Sequence, residues 1–219
     1  MIRMPTEKLN RDRCVKVVLR VWSCAILALI SASAWPQSLQ NSPQGSSTGV
    51  TFTLDTSQSR LHWTLGSTLH TVHGTFALKR GEVSFDPSSG SARGEIVADA
   101  ASGASGNESR DKKMHREILE SGRYSDIVFR PSRVEGKVSA AGTSSLQLQG
   151  VFVLHGAQHE LIVPIQMEVT GRHWKGSAKF GVPYIQWGLK SPNTFLLKAD
   201  PVVEIALEMS GTLKGTISP

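Results

Sequence analysis

Ser109-Arg110-Asp111-Lys112 places a serine hydroxyl three residues before a lysine, and Ser191-Pro192-Asn193 supplies a second hydroxyl beside an amide. An S-x-x-K lets the lysine take the serine proton, and an S-x-N completes a pocket for acyl transfer. That chemistry needs a third element, K-T-G, and Lys214-Gly215-Thr216 is not one. It also needs a large helical region that this sequence lacks. Gly171 and Gly176 have the spacing of a phosphate-binding loop, but Lys175 precedes the second glycine instead of following it. His159-Glu160 begins like a zinc-protease H-E-x-x-H and then runs into Leu161-Ile162-Val163, which is a strand pattern. No catalytic residue is assigned, and the chain is not read as an enzyme.

Metal binding fares no better. Of seven histidines, His155 and His159 flank a short turn as expected cross-strand neighbours, which is two ligands without a third. His70 and His73 are expected on opposite faces of a strand. Cys14 and Cys24 are the only cysteines, and both lie near the start. Beyond that region there is no thiolate, no disulfide and no cysteine nucleophile. No metal and no cofactor are expected.

The first thirty-four residues read as an export signal. Arg3, Lys8, Arg11, Arg13, Lys16 and Arg20 form a basic start, and Val21 to Ile30 is apolar. That stretch falls short of the roughly 20 residues a membrane span needs. Ala32-Ser33-Ala34 supplies small residues for cleavage after Ala34. The expected location is periplasmic or secreted, with no integral span after cleavage. The whole chain has 24 Lys and Arg against 18 Asp and Glu, and the leader holds six and two of these. What remains is 18 against 16, a net of +2. The basic pI belongs largely to the leader, and no basic stripe for nucleic acid is left.

Residues 35–49 are rich in Ser, Gln, Pro and Gly and read as a tether. A single domain is expected over residues 50–214, with 215–219 as a tail. At roughly 170–185 residues the exported part is long enough to bury about 70% of its unfolded surface without staples.

The domain is patterned at period two. Leu61, Trp63 and Leu65 alternate with His62 and Thr64, and Val83 and Phe85 alternate with Glu82 and Ser84. Leu146, Leu148, Gly150, Phe152 and Leu154 share a face, as do Leu161, Val163, Ile165, Met167 and Val169. Val203, Ile205, Leu207, Met209 and Leu213 form the last such row. Each strand therefore has one wet and one dry face. Asp86 to Gly90 reads as a turn, and Pro164 is expected to mark an edge or a bulge. Asn107 to Gly122 departs from alternation. Met114, Ile118 and Leu119 fall at helical spacing there, Asn107 or Ser109 can cap the start, and Gly122 can end it. Many one-sided strands and one amphipathic helix imply a mainly β fold: a single antiparallel, lipocalin-like β-barrel of roughly eight strands with the helix at one end.

Several ordered motifs resemble the YceI-like family of exported polyisoprenoid-binding proteins. They are Leu54-Asp55 through Ser59-Arg60-Leu61-His62-Trp63, Val72-His73-Gly74-Thr75-Phe76, and Gly81 through Asp86-Pro87. Arg110-Asp111 at the helix start, Tyr124 to Phe129, and Gly150 to His155-Gly156 complete the set, so the resemblance spans about Thr51 to Leu213. Lys113-Met114 stands where many members have His-Leu. Ser125 replaces a usual Pro, and Pro183 to Gly188 replaces an R-x-D-F-G-like segment.

The resemblance implies non-catalytic binding, transport or storage of a long-chain isoprenoid or similar apolar lipid in the barrel. At about 0.8 kcal/mol per buried CH₂, a forty-carbon chain gains roughly 30 kcal/mol gross, of which ordering costs leave only part. Alternation and resemblance together place Phe76, Phe85, Ile96, Phe129, Phe152, Val163, Ile205 and Leu207 on the inner wall. Met114 and Ile118 are expected on the lid helix, Arg110 near a polar lipid head, and Trp187 at an opening. A homodimer is compatible with this reading. The alternative is an exported interaction module whose barrel is filled by its own side chains.

Overall fold

The structure, a computed structural model, describes residues 49–140, 142–193 and 197–217. The expected export signal, and the expected tether up to residue 48, lie outside the described residues. Among the described residues no helix is long and apolar enough to cross a membrane.

Among the described residues ten strands follow one another: β1 (Val50–Leu54), β2 (Arg60–Leu65), β3 (Val72–Phe76), β4 (Leu78–Phe85), β5 (Ala92–Asp99), β6 (Asp126–Glu135), β7 (Gly142–Leu154), β8 (Ala157–Thr170), β9 (His173–Val182) and β10 (Val203–Lys214). All pairings are antiparallel, in the order β1-β4-β5-β6-β7-β8-β9-β10, and β1 also pairs with β10. The result is the closed eight-stranded barrel that the alternation predicts, with β2 and β3 added along one side. Inward residues are buried and outward ones exposed, most plainly along β7 and β8.

The bend between β1 and β2 explains the first motif. β10 pairs with β1 through Gly211 to Lys214 and with β2 through Glu204 to Glu208. The chain must therefore step sideways between Leu54 and Arg60. Asp55 Oδ1 accepts from the Ser57 backbone N–H at 3.0 Å, and Ser59 Oγ donates to the Asp55 carbonyl at 2.7 Å. The Ser210 N–H donates to Ser59 Oγ at 3.1 Å, which pins the step to β10.

Pro164 marks a local edge. It pairs with Gln147 of β7 and lies just beyond Ile165, the last β8 residue in register with β9. The β8–β9 ladder ends where the missing N–H falls, so from Pro164 back to Ala157 the β9 side of β8 is an edge, as expected of a proline. A register shift falls at Pro131 to Arg133 in β6.

The helical segment differs from expectation. Asn107 caps it, its side chain accepting from the Arg110 N–H at 3.0 Å, and α1 runs Glu108–Lys113. The next turn, Met114–Ile118, is a π-turn, and Leu119 N–H reaches the Met114 carbonyl. The chain then leaves at Glu120, whose φ of 45° is left-handed. Gly122 is not the stop. The wider turn carries Met114, Ile118 and Leu119 together toward the barrel.

Candidate functional site

The barrel is filled at one end and hollow at the other. At the filled end Phe52 meets Trp174 edge-on at 5.8 Å, with Phe85, Leu146, Met167 and Leu213 buried in the same core. Trp174 fits because position 211 is glycine. A Cβ there would strike the Thr53 carbonyl and stand 2.9 Å from Trp174 Nε1. That nitrogen donates to the Thr212 carbonyl at 3.2 Å.

Above this plug lies a cavity of about 350 Å³, within the roughly 300–1,000 Å³ of small-molecule sites. Strand register builds its wall in rows. Ile96, Phe129 and Phe152 are successive partners across β5, β6 and β7. Phe180, Ile205 and Trp63 are partners across β9, β10 and β2, and Ala178, Leu207, Leu61 and Phe76 form the row beneath. Leu148, Ile165 and Met209 line it towards the plug. Met114, Ile118 and Leu119 cover it from the helical side.

Ten of the twelve sequence-predicted residues thus line one cavity: Phe76, Ile96, Arg110, Met114, Ile118, Phe129, Phe152, Val163, Ile205 and Leu207. Two do not. Phe85 faces inward as expected, but it pairs with Val50 at the filled end. Alternation gives the face of a strand, not the height along the barrel. Trp187 stands behind the wall, stacked on His159 at 4.2 Å with 3° between the rings, and 5.5 Å from Phe152. It braces β7 and β8 where β9 has parted from β8. His159 is opposite Phe152 in the ladder, so His155 and His159 are not cross-strand partners.

Polar side chains on the wall collect at the mouth, where Ser67, His70, Arg110 and Lys113 stand. The rim on one side is stitched: Thr68 N–H donates to the Lys198 carbonyl at 3.0 Å, and Asp200 N–H to the Gly66 carbonyl at 2.9 Å. On the other side the Arg110-Asp111 pair holds the loop before α1. Asp111 accepts from the Ser105 N–H at 3.0 Å and from its hydroxyl at 2.5 Å, while Arg110 Nε donates to Ser105 Oγ at 2.7 Å. His115 Nε2 faces the Gly103 carbonyl at 2.8 Å and must donate there, so Nδ1 accepts from Ser121 Oγ at 3.1 Å.

Charge at the mouth is uneven. Lys112 pairs with Glu108 at 2.6 Å, turned away from any role with Ser109, which is exposed. Glu117 binds Arg116 at 2.5 Å, and that hydrogen bond, with the fields of Arg116, Lys113 and Lys190, holds its carboxyl below the usual range. Burial pushes the Tyr184 phenol up. Among the described residues no group of three or more His, Cys, Asp or Glu is placed to hold a metal.

Sequence reasoning missed much of the wall. Leu61, Trp63 and Leu65 carried a signal in their alternation. His70, Tyr184, Leu189, Pro192 and Ala199 come from loops and carried none.

The model of the YceI-like domain family matches residues 52–210. Among solved structures, Burkholderia cenocepacia BcnA superposes with a TM-score of 0.59 at 14% identity, over 73% of this chain and 99% of that one. A polyisoprenoid binding domain from Saccharophagus degradans, implicated in plant cell wall breakdown, gives 0.57 at 12%, over 75% and 98%. At these identities the likeness is one of fold. No curated protein matches the chain.

Proposed function

The chain belongs to the YceI-like domain family, and from that premise we propose that it is a non-catalytic carrier or store for a long-chain apolar lipid of the polyisoprenoid kind. One observation carries this reading: a wall of aliphatic and aromatic side chains encloses the cavity, and its charged groups stand only at the mouth. Burial of apolar surface at about 25 cal/mol per Å² holds a chain there without any reactive group. The name of the Saccharophagus degradans domain, a polyisoprenoid binding domain, points the same way. The filled half of the barrel does not extend to the mouth, which counts against an interaction module with a solid core. The basic start, short apolar run and Ala32-Ser33-Ala34 support a carrier that works in the periplasm or beyond, after cleavage following Ala34.

Trp63 lines the cavity, Trp174 belongs to the plug, and Trp187 stands behind the wall. A long hydrocarbon brominated along its chain is therefore expected to quench the fluorescence of Trp63. Trp63→Phe should remove most of the quenching and keep binding by equilibrium dialysis. No quenching and no retained hydrocarbon in the wild type would refute the carrier reading.

A further inference from the structure

Arg110 and Lys113 both reach the cavity from α1, yet only one of them is committed. The Arg110 guanidinium donates to Ser105 Oγ at 2.7 Å and to the Ser105 carbonyl at 3.2 Å, within the same loop that Asp111 holds. Its work is to fix the rim. Lys113 is half-buried on the apolar wall, and its ammonium makes no hydrogen bond or ion pair among the described residues. Glu117, one turn on, feels the Lys113 charge but is hydrogen-bonded by Arg116 instead. Lys112, on the outer side, is taken by Glu108.

A half-buried cation at the polar end of an apolar cavity, offset only by the field of a Glu117 that Arg116 already binds, gains from any anion that pairs with it directly. We propose that the lipid this cavity takes is an amphiphile with an acidic head, a carboxylate or a phosphate ester, and that Lys113 selects it. The proposal rests on the carrier reading and adds the head-group class to it. The ammonium is a compact point charge on a flexible stem, able to follow an anion at the mouth while the chain lies between Phe129, Phe152 and Ile205. His70, exposed on the opposite rim, supplies a further donor without closing the site.

The test compares three ligands with one chain: oleic acid, oleyl phosphate and oleyl alcohol, bound to the exported protein at neutral pH and low salt. Wild type should hold an acid about tenfold more tightly than the alcohol, the size of one charge-assisted hydrogen bond. Preference for both acids means charge alone is read, and preference for one assigns the head. Lys113→Met should bring acid and alcohol within about twofold, and Lys113→Arg should restore most of the difference. The alcohol should bind all three proteins alike, which also reports that the variants are folded. Inorganic phosphate alone should not compete at millimolar concentration, because the chain supplies most of the affinity. Equal binding of acid and alcohol by wild type, or a preference that survives Lys113→Met, would overturn the assignment and leave the carrier intact. If wild type binds no oleyl ligand at all, the carrier reading falls and this inference falls with it.

Discussion

Glu120 and His155, the two non-glycine residues with left-handed backbone among those described, meet each other: Oε1 of one lies 3.4 Å from Nε2 of the other, with φ of 45° and 52°. One ends the helical segment, and the other opens the turn between β7 and β8. Tyr124 packs on the His155 ring at 4.4 Å, and Arg123 lies over Tyr124 at 5.1 Å. The helical segment and the β7–β8 hairpin are thereby joined through two residues held at positive φ.

The His155-Gly156 turn gives the first prediction. Leu154 pairs with Ala157, and both central residues have positive φ, as a two-residue hairpin of this twist requires. A Cβ on Gly156 would lie 2.6 Å from the Tyr124 ring. Gly156→Ala should cost on the order of 1–3 kcal/mol in a urea titration. His155→Asn, which tolerates the same φ, should cost less than half as much.

Phe152 is buried and touches both Phe180 and Trp187. Phe152→Asp places an unpaired carboxylate in the cavity wall, at a cost of several kcal/mol. Lipid uptake should be lost, and cooperative unfolding weakened or abolished. Full retention of both would show that this face does not meet ligand.

Ile118 covers the cavity from the π-turn, an element with far fewer strand-like hydrogen bonds to break than the barrel. Ile118→Ala should speed exchange of a bound lipid several-fold while moving the urea midpoint little, because the strands stay paired. A large loss of stability with unchanged exchange would make the helix a fixed part of the core, with access elsewhere.

Acid should weaken the protein gradually. Hydrogen bonds from Lys79 hold the Asp126 carboxyl below its usual range, and those from Ser57 and Ser88 do so for Asp55 and Asp86. A carboxyl whose folded value is depressed contributes stability above its unfolded value of about 4, and loses it as pH falls through the folded value. Lys79, raised chiefly by Asp126, loses its part only when pH climbs beyond the ordinary lysine range. These groups are at the surface, so each effect is small. Asp126→Asn should flatten part of the urea-midpoint decline below pH 4, and an unchanged acid limb would contradict the assignment.

The barrel was legible because period-two alternation is a local property that closure leaves intact: Leu61-Trp63-Leu65 and Val203-Ile205-Leu207 point inward as their spacing requires. The height of a residue along the barrel was not legible, since it depends on register between strands far apart in sequence. Phe85 and Phe129 look alike in the sequence, yet one pairs at the filled end and the other beside Phe152. The Pro164 edge was legible, and the Gly122 stop was not. A proline takes away a ladder donor wherever it stands, and β8 keeps only its β7 side from Pro164; a glycine merely permits a break, and Glu120 took the left-handed position first. The mouth loops carried no periodicity, so Tyr184, Leu189 and Ala199 gave no sign of reaching the cavity.

The central claim, that the cavity carries a long apolar lipid, is tested most directly by native mass spectrometry of the protein expressed with its leader and purified without detergent, followed by organic extraction. A mature chain starting at Trp35, with one lipid of long hydrocarbon character in near-stoichiometric amount, is the expected result. Phe152→Asp, where it folds, should carry none. A wild-type protein that emerges folded, lipid-free and unable to take up a polyprenol added back in excess would contradict the account.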